Sequence, residues 1–300
     1  MAGMLAPPRV AMTALLTPSA ARDVLRRHGL ATRKRDGQHL LVDPNTVRRI
    51  VAAADLAPTD LVVEVGPGIG SLTLGLAEVV DRIVAVEIDA GFVTALADVL
   101  ADVDGVTVHH ADALAIDLAA LVQGGPARLV ANLPYNVATP IVIDTLASGA
   151  YTDAFVMVQR EVGERWAARP GDTTYSGVSA KLGVLADVSI VLHIPRAVFL
   201  PVPNVDSVMV RLTRRADAPT PERFVRIAAV IDAAFSQRRK TLRNTLRSLG
   251  EDGPVADAAA SAGIDLSGRA EQVAPAAFVR LSDALSRGAT PPGRATVASP

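Results

Sequence analysis

The feature that most restricts this 300-residue chain is a short apolar run that stops on glycine. Leu61–Val65 reads as a buried strand. It ends in Gly66-Pro67-Gly68-Ile69-Gly70, and Ser71–Val80 then carries a helical pattern. The alternation continues. Ile83–Glu87, Val106–His110, Leu129–Ala131 and Phe155–Val158 read as strands, with helices over Gly91–Leu100 and Pro140–Leu146. Strands separated by helical patterns of this kind define βαβ units and a mainly parallel, doubly wound α/β sheet. Val188–Ile194 and Ser207–Leu212, joined by a Pro-rich loop, predict a hairpin that closes the sheet edge. Ahead of the sheet, Asp43-Pro44-Asn45 caps a helix to about Ala54. Apolar residues make up 50% of the chain but aromatics only 3%, so Ala, Val and Leu must build the core.

The pattern changes after residue 216. Asp217–Pro221 is a Pro-rich linker, and Glu222–Leu285 is helical with no strand-like run. The expected organisation is therefore a start over 1–16 that is disordered or over-called, an α/β domain over 17–216, a small all-helical domain over 217–287, and a disordered tail over 288–300. Arg9, the run Val10–Leu16 and the small residues Pro18–Ala21 resemble a signal peptide only faintly, and Met12 is an alternative initiator. The longest uncharged stretch, Leu129–Ile143, is broken by Asn132, Pro134, Asn136 and Pro140. It falls short of the about 20 apolar residues a membrane span needs. The chain has no Cys, which excludes disulfides, thiolate zinc sites and cysteine nucleophiles and fits a reducing, cytoplasmic setting. No apolar stripe exceeds core needs, so a monomer is the default expectation.

Net charge is −1, but its distribution is uneven. Arg9–Arg49 holds nine Lys or Arg against three acids, Thr59–Gly125 holds eleven acids against Arg82 alone, and Arg223–Arg247 holds seven basic residues against Asp232. Basic flanks around an acidic middle fit a polyanion gripped from both ends; solvated helix faces would show the same counts.

The glycine turn has a partner. Glu87 closes the second strand 21 residues after Gly66, where a doubly wound fold places a carboxylate to accept from ribose hydroxyls. A glycine triplet alone is weak evidence. Strand, turn, helix, strand and acid in register point to a nucleoside cofactor. The spacing G-x-G-x-G differs from the G-x-G-x-x-G that seats a pyrophosphate, and Pro67 removes a donor that a phosphate would use. A nucleoside without phosphates fits better, and S-adenosylmethionine is the common one. Asp112 is placed to accept from an adenine amino group, or equally to cap a helix.

Asn132-Leu133-Pro134-Tyr135 follows the fourth strand, on the side where open α/β sheets bind ligands. The exocyclic nitrogen of adenine is a poor nucleophile because its lone pair is delocalised into the ring. Two acceptors for its N–H hydrogens, the Asn132 side-chain oxygen and the Leu133 carbonyl, would draw it towards tetrahedral geometry. Pro134 would stiffen the turn and Tyr135 would offer a stacking face for a flipped base. Taken in isolation, the same four residues read as an Asn–Pro turn with a core Tyr. No G-x-S-x-G, P-loop or H-E-x-x-H sequence is present, and the histidines at 28, 39, 109, 110 and 193 lack ligand spacing, so no metal is expected.

Six motifs in order resemble the ribosomal RNA adenine dimethyltransferases, in particular the small-subunit type, over residues 17 to 287. They are Arg33-Lys34-Arg35-x-Gly37-Gln38-His39 with Val42-Asp43-Pro44-Asn45, Glu64-Val65-Gly66-Pro67-Gly68, Asn132-Leu133-Pro134-Tyr135-Asn136, Gln159-Arg160-Glu161-Val162, Phe199-x-Pro201-x-Pro203-x-Val205-Asp206-Ser207, and Gln237-Arg238-Arg239-Lys240-Thr241-Leu242-Arg243-Asn244. The resemblance implies a Rossmann-like class I methyltransferase fold and S-adenosylmethionine as cofactor. It also implies a substrate, two adjacent adenosines near the end of 16S rRNA in the small ribosomal subunit, and a part in subunit biogenesis. It implies that His39, Leu41, Gly66, Glu87, Asp112 and Asn132, with Gly68 in the turn, line the cofactor site. Phe199 is implied as the second wall of a flipped-base pocket opposite Tyr135, although it also reads as a plug under the Pro-rich loop. Arg33, Lys34, Arg35, Arg238, Arg239, Lys240, Arg243 and Arg247 would meet RNA phosphates. Leu40 stands where the family has Phe.

Three other readings are distinguishable. A 23S rRNA adenine methyltransferase of the macrolide-resistance type would differ in the RNA it modifies. A non-catalytic small-subunit assembly factor would keep its effect without Asn132. A nicotinamide oxidoreductase fits the glycine turn alone, but neither its spacing nor Asn132–Tyr135.

Overall fold

The computed structural model describes residues 14–31, 39–122, 125–134 and 137–288. Residues 1–13 of the start, the tail from 289, and Arg33, Lys34, Arg35, Tyr135 and Asn136 lie outside the described residues. The chain divides into two compact units, Met1–Gly163 with Ser189–Arg214, and Glu164–Val188 with Arg215–Pro300.

In chain order the first unit contains α1 (Pro18–Arg27), β1 (Leu40–Leu41), α2 (Pro44–Ala54), β2 (Leu61–Val65), α3 (Ser71–Ala77), β3 (Arg82–Glu87), α4 (Ala90–Val99) and β4 (Val106–His110). It continues with β5 (Ala127–Asn132), α5 (Ala138–Ser148), β6 (Tyr151–Gln159) and the start of α6 (Arg160–Trp166). After α7 (Gly177–Leu185), the chain adds β7 (Ala186–Ile194), β8 (Phe199–Leu200) and β9 (Ser207–Arg214). Seven strands form one sheet in the order β4-β3-β2-β5-β6-β9-β7. The pairs β2–β3, β3–β4, β2–β5 and β5–β6 are parallel, and β9 lies antiparallel to β6. The last two strands thus close the edge, as the apolar runs predict.

Every residue of β2 is buried, the mark of a parallel strand covered on both faces. At the edge, β7 alternates exposed and half-buried residues from Asp187 to His193. Chain order reverses between β2 and β5, so a crevice opens at their C-terminal ends. Those ends carry Gly66 and Asn132. Asp43 caps α2 by accepting from the Thr46 N–H at 2.9 Å, with Pro44 at the first helical position.

Two arginines hold the other end of α2 to the sheet. Arg128 on β5 donates from Nε and Nη2 to Asp153 at 2.8 Å each, from Nη1 to Asp60 at 3.0 Å, and to the Ala54 and Asp55 carbonyls at 2.8 and 2.6 Å. Arg211 on β9 donates to the Ala53 carbonyl and lies over the Phe155 ring, 5.0 Å from its centroid. These cations meet the orphan carbonyls and negative dipole end of the helix. A two-residue ribbon, β1 paired with β8, is a further element that no hydrophobic period announces.

The second unit contains α7, α8 (Pro221–Phe235), α9 (Leu242–Thr245), α10 (Asp252–Ala262) and α11 (Pro275–Gly288). It begins at residue 215 in its main part, but it also takes in Glu164–Val188, which the sequence pattern assigns to the α/β domain. The reason is aromatic packing. Tyr175 meets Phe235 edge-on at 5.9 Å, Phe235 meets Phe278 at 6.0 Å, and the Tyr175 hydroxyl donates to the Val273 carbonyl at 3.0 Å. Among the described residues, no helix is long and apolar enough to cross a membrane.

Candidate active site

The turn after β2 is shaped by three left-handed glycines, Gly66, Gly68 and Gly70, with φ of +71°, +57° and +87°. Gly68 shows why glycine is needed there: a Cβ on it would lie 2.8 Å from Leu40 Cδ2, so the 39–42 arm closes directly over the turn. The Gly68 N–H donates to Glu87 Oε2 at 3.0 Å, and the Asp89 N–H donates to Oε1 at 3.0 Å. Burial pushes the Glu87 carboxyl above its ordinary value, against these N–H groups, which favour the ionised form.

Glu64, inside β2, is more strongly perturbed. Its carboxyl is pushed up to about 8, first by burial and secondarily by the charge of Glu87, while the Thr73 hydroxyl donating at 2.6 Å opposes the shift. At neutral pH it is mostly protonated. Sequence reading singled out Glu64 only as part of a motif.

The acceptor end is built by β5. Asn132 Nδ2 donates to the His39 carbonyl at 2.9 Å, which leaves Oδ1 at the other end of the amide. The Pro134 carbonyl accepts from the Val137 and Ala138 N–H groups at 3.1 Å each, so the proline turn caps the first turn of α5. The Leu133 side chain is buried in the core, and any role for this residue is through its main chain.

Turn, arm and acceptor surround one cavity of about 450 Å³, within the range of small-molecule sites. His39, Leu41, Gly66, Gly68, Glu87, Asp112, Asn132 and Pro134 all line it. Asp112 caps no helix, since a turn follows it; its Oδ1 accepts from the Leu114 N–H at 2.9 Å and braces that turn. Asp89 and the protonated Glu64 join Glu87 and Asp112 on the wall, and among the described residues no Lys or Arg lines it. A cationic ligand is favoured there. The Ser71 hydroxyl, on the same wall, is buried without a hydrogen-bond partner. That orphan, the two carboxyls and the glycine cradle fit a nucleoside with a polar tail, as S-adenosylmethionine has.

Two wall residues went unnoticed in the sequence. Ile88 is 62% exposed and Leu114 48% exposed, and both border the cavity. Large apolar side chains left open beside a cavity suit the faces of a flat ring. Their signal was position, since each stands one or two residues after an acid at a strand end.

Phe199 is 2% exposed and packed in the core of the first unit, and it does not line this cavity. It stands in β8 opposite Leu41, and the wall it was expected to face, Tyr135, lies outside the described residues. Tyr135 and Arg33, Lys34 and Arg35 lie outside the described residues. On the helical unit Arg238, Arg239, Lys240, Arg243 and Arg247 are exposed. Arg238 donates to the Thr173 carbonyl at 3.3 Å and Arg247 pairs with Asp252 at 3.3 Å.

The family model described as ribosomal RNA adenine dimethylase matches residues 29–287. The Ribosomal RNA small subunit methyltransferase A of Thermobifida fusca is 47% identical over 276 residues, covering 90% of this chain and 96% of that protein. Among solved structures, the 23S rRNA methyltransferase ErmE superposes with TM-score 0.62 at 27% identity, covering 82% of this chain and 99% of that one. A dimethyladenosine transferase from Plasmodium falciparum superposes with TM-score 0.67 at 23% identity, covering 81% and 96%, and shares the fold. With the sheet order and a cavity at its reversal point, these matches place the chain in the ribosomal RNA adenine dimethylase family, as an rRNA adenine dimethyltransferase.

Proposed function

We propose that this enzyme uses S-adenosylmethionine to dimethylate N6 of two adjacent adenosines in the 3′-terminal hairpin of 16S rRNA, within the small ribosomal subunit, and takes part in that subunit's biogenesis. The reading takes it to act in the cytoplasm as a monomer. Support for the small subunit comes from the 47% identity to a small-subunit enzyme, against 27% to a 23S enzyme of the same fold.

The observation that carries the chemistry is the Asn132 amide, whose nitrogen is committed to the His39 carbonyl. Its oxygen is then an acceptor for one N–H of the target amine, and the Leu133 carbonyl is the second. Accepting both hydrogens localises the lone pair on nitrogen and aims it across the cavity. No strong base is required, because the amine proton becomes acidic only once nitrogen carries the new methyl. Bound S-adenosylmethionine supplies an electrophilic methyl on a sulfonium. The acids on the wall favour that charge, Glu87 and Asp112 serve the ribose and adenine, and Ile88 and Leu114 flank the ring. Tyr135 stacks on the flipped base, and Phe199 anchors the loop beneath it. Arg239 and Lys240, exposed and without an ion pair among the described residues, meet RNA phosphates together with Arg238, Arg243, Arg247 and Arg33–Arg35.

The test is methyl transfer from labelled S-adenosylmethionine to small subunits lacking the modification, followed by mapping of the methylated nucleotides. Dimethyladenosine at two adjacent positions is expected from the parent. Asn132→Ala should lower transfer about 100-fold or more, as loss of an aligned acceptor in a reaction centre does. Transfer to 23S rRNA instead, or a biological effect intact in Asn132→Ala, would overturn the reading.

A further inference from the structure

The Asn132 amide can serve as acceptor in only one of its two orientations, and the structure shows what selects it. Its nitrogen faces the His39 carbonyl at 2.9 Å, and a carbonyl oxygen can only accept. Turned over, the amide would set Oδ1 against another acceptor and offer the target amine a donor. Both errors would occur at once.

The His39 carbonyl is itself held. The His39 ring presents Nδ1 to the Pro201 carbonyl at 2.8 Å, so Nδ1 carries the hydrogen in that contact. The neighbouring backbone adds Leu40 paired with Leu200, Leu41 with Phe199, and the Val42 N–H donating to the Val198 carbonyl at 2.9 Å. Leu41 and Phe199 are buried and anchor one end of this two-residue ribbon. The His39–Pro201 bond ties the other end, next to Asn132.

We propose that His39 is a positioning residue for methyl transfer: its main-chain carbonyl sets the orientation of the Asn132 amide, and its imidazole holds that carbonyl against the Pro201 loop. The inference rests on Asn132 being the acceptor for the adenine amine. One four-residue segment then touches the glycine turn through Leu40, the acceptor through His39, and the Pro-rich loop through its ring and strand. A change in that segment is felt by all three.

The experiment is single-turnover methyl transfer to unmodified small subunits at saturating S-adenosylmethionine, with S-adenosylhomocysteine affinity measured by calorimetry. His39→Ala should lower the rate about tenfold, the scale of one lost hydrogen bond that aligns a second group. Its affinity for S-adenosylhomocysteine should change by less than the rate. His39→Asn, whose amide also donates, should restore most of the rate. Asn132→Asp adds a readout that a structural role would not move. In that variant an ionised carboxylate would set oxygen against the His39 carbonyl, whereas a protonated carboxyl donates there and keeps its other oxygen as acceptor. Residual activity of Asn132→Asp should therefore rise as pH falls from 8 to 6, relative to the parent. His39, Glu64, Glu87, Asp89 and Asp112 are the titratable groups facing position 132 across the cavity, and the parent profile records their shared effect.

An unchanged rate in His39→Ala, a rate loss matched by an equal affinity loss, no recovery in His39→Asn, or an Asn132→Asp variant most active at high pH would each overturn the proposal. Full activity in Asn132→Ala would overturn the underlying reading instead.

Discussion

The cavity of the first unit and the basic stretch of the second use charge in opposite ways. In the cavity, four acids line the wall; burial raises both Glu64 and Glu87, opposed by the Thr73 hydroxyl at Glu64 and by backbone N–H groups at Glu87. On the helical unit, Arg239 and Lys240 stand exposed. Charge in the first region is set by desolvation and short hydrogen bonds, which salt barely screens; charge in the second acts through solvent and is screened within about 8–10 Å. A site for one small molecule needs the first arrangement, and a surface for a long polyanion needs only the second.

The hardest way to break this contrast is at the glycine turn. Gly68→Ala places a methyl group 2.8 Å from Leu40 at a φ of +57°. Strain of this kind costs about 1–3 kcal/mol, so cofactor affinity should drop roughly 5- to 150-fold. Calorimetry at low and high salt should give the same loss, with subunit binding unaffected. A loss that disappears in high salt would place the cavity under the same rule as the surface.

Glu64 tests the buried side of the comparison through pH. Its folded value of about 8 lies above the ordinary 4.5. The folded state therefore holds the proton longer than the unfolded state does. Stability should fall as pH rises from 4.5 to 8, by up to about 1.4 kcal/mol per unit. Glu64→Gln removes that slope, so its gain in melting temperature should be larger at pH 7.5 than at pH 5. An equal gain at both would mean that Glu64 ionises normally.

The smallest effect belongs to the surface. Arg239→Ala combined with Lys240→Ala should weaken subunit binding and flatten its dependence on salt by a slope of about 1–2, leaving cofactor affinity unchanged. An unchanged slope would remove these two residues from the RNA contact.

Much of the architecture was legible because strands and turns announce themselves locally. Leu61–Val65 and Val106–His110 appear at the residues expected, and the runs at 83–87 and 129–131 lie inside slightly longer strands. Each is an apolar run bounded by glycine, proline or polar residues. The β1–β8 ribbon was not legible, since two residues carry no period. Nor was the membership of Glu164–Val188 in the helical unit, because the packing of Tyr175 on Phe235 leaves no mark on either segment alone. Phe199 is recognisable by its motif, but its burial in the core follows from the strand that β8 pairs with, which no local pattern gives.

By itself the sequence determined the glycine turn, the acid at the end of the next strand and the Asn–Leu–Pro turn after the fourth, since each follows from local steric and hydrogen-bonding preference. Tertiary structure alone decided which way the Asn132 amide is turned. An amide has two ends of similar shape, and only a partner of known polarity distinguishes them. Asn132 finds that partner in the carbonyl of His39, 93 residues earlier in the chain.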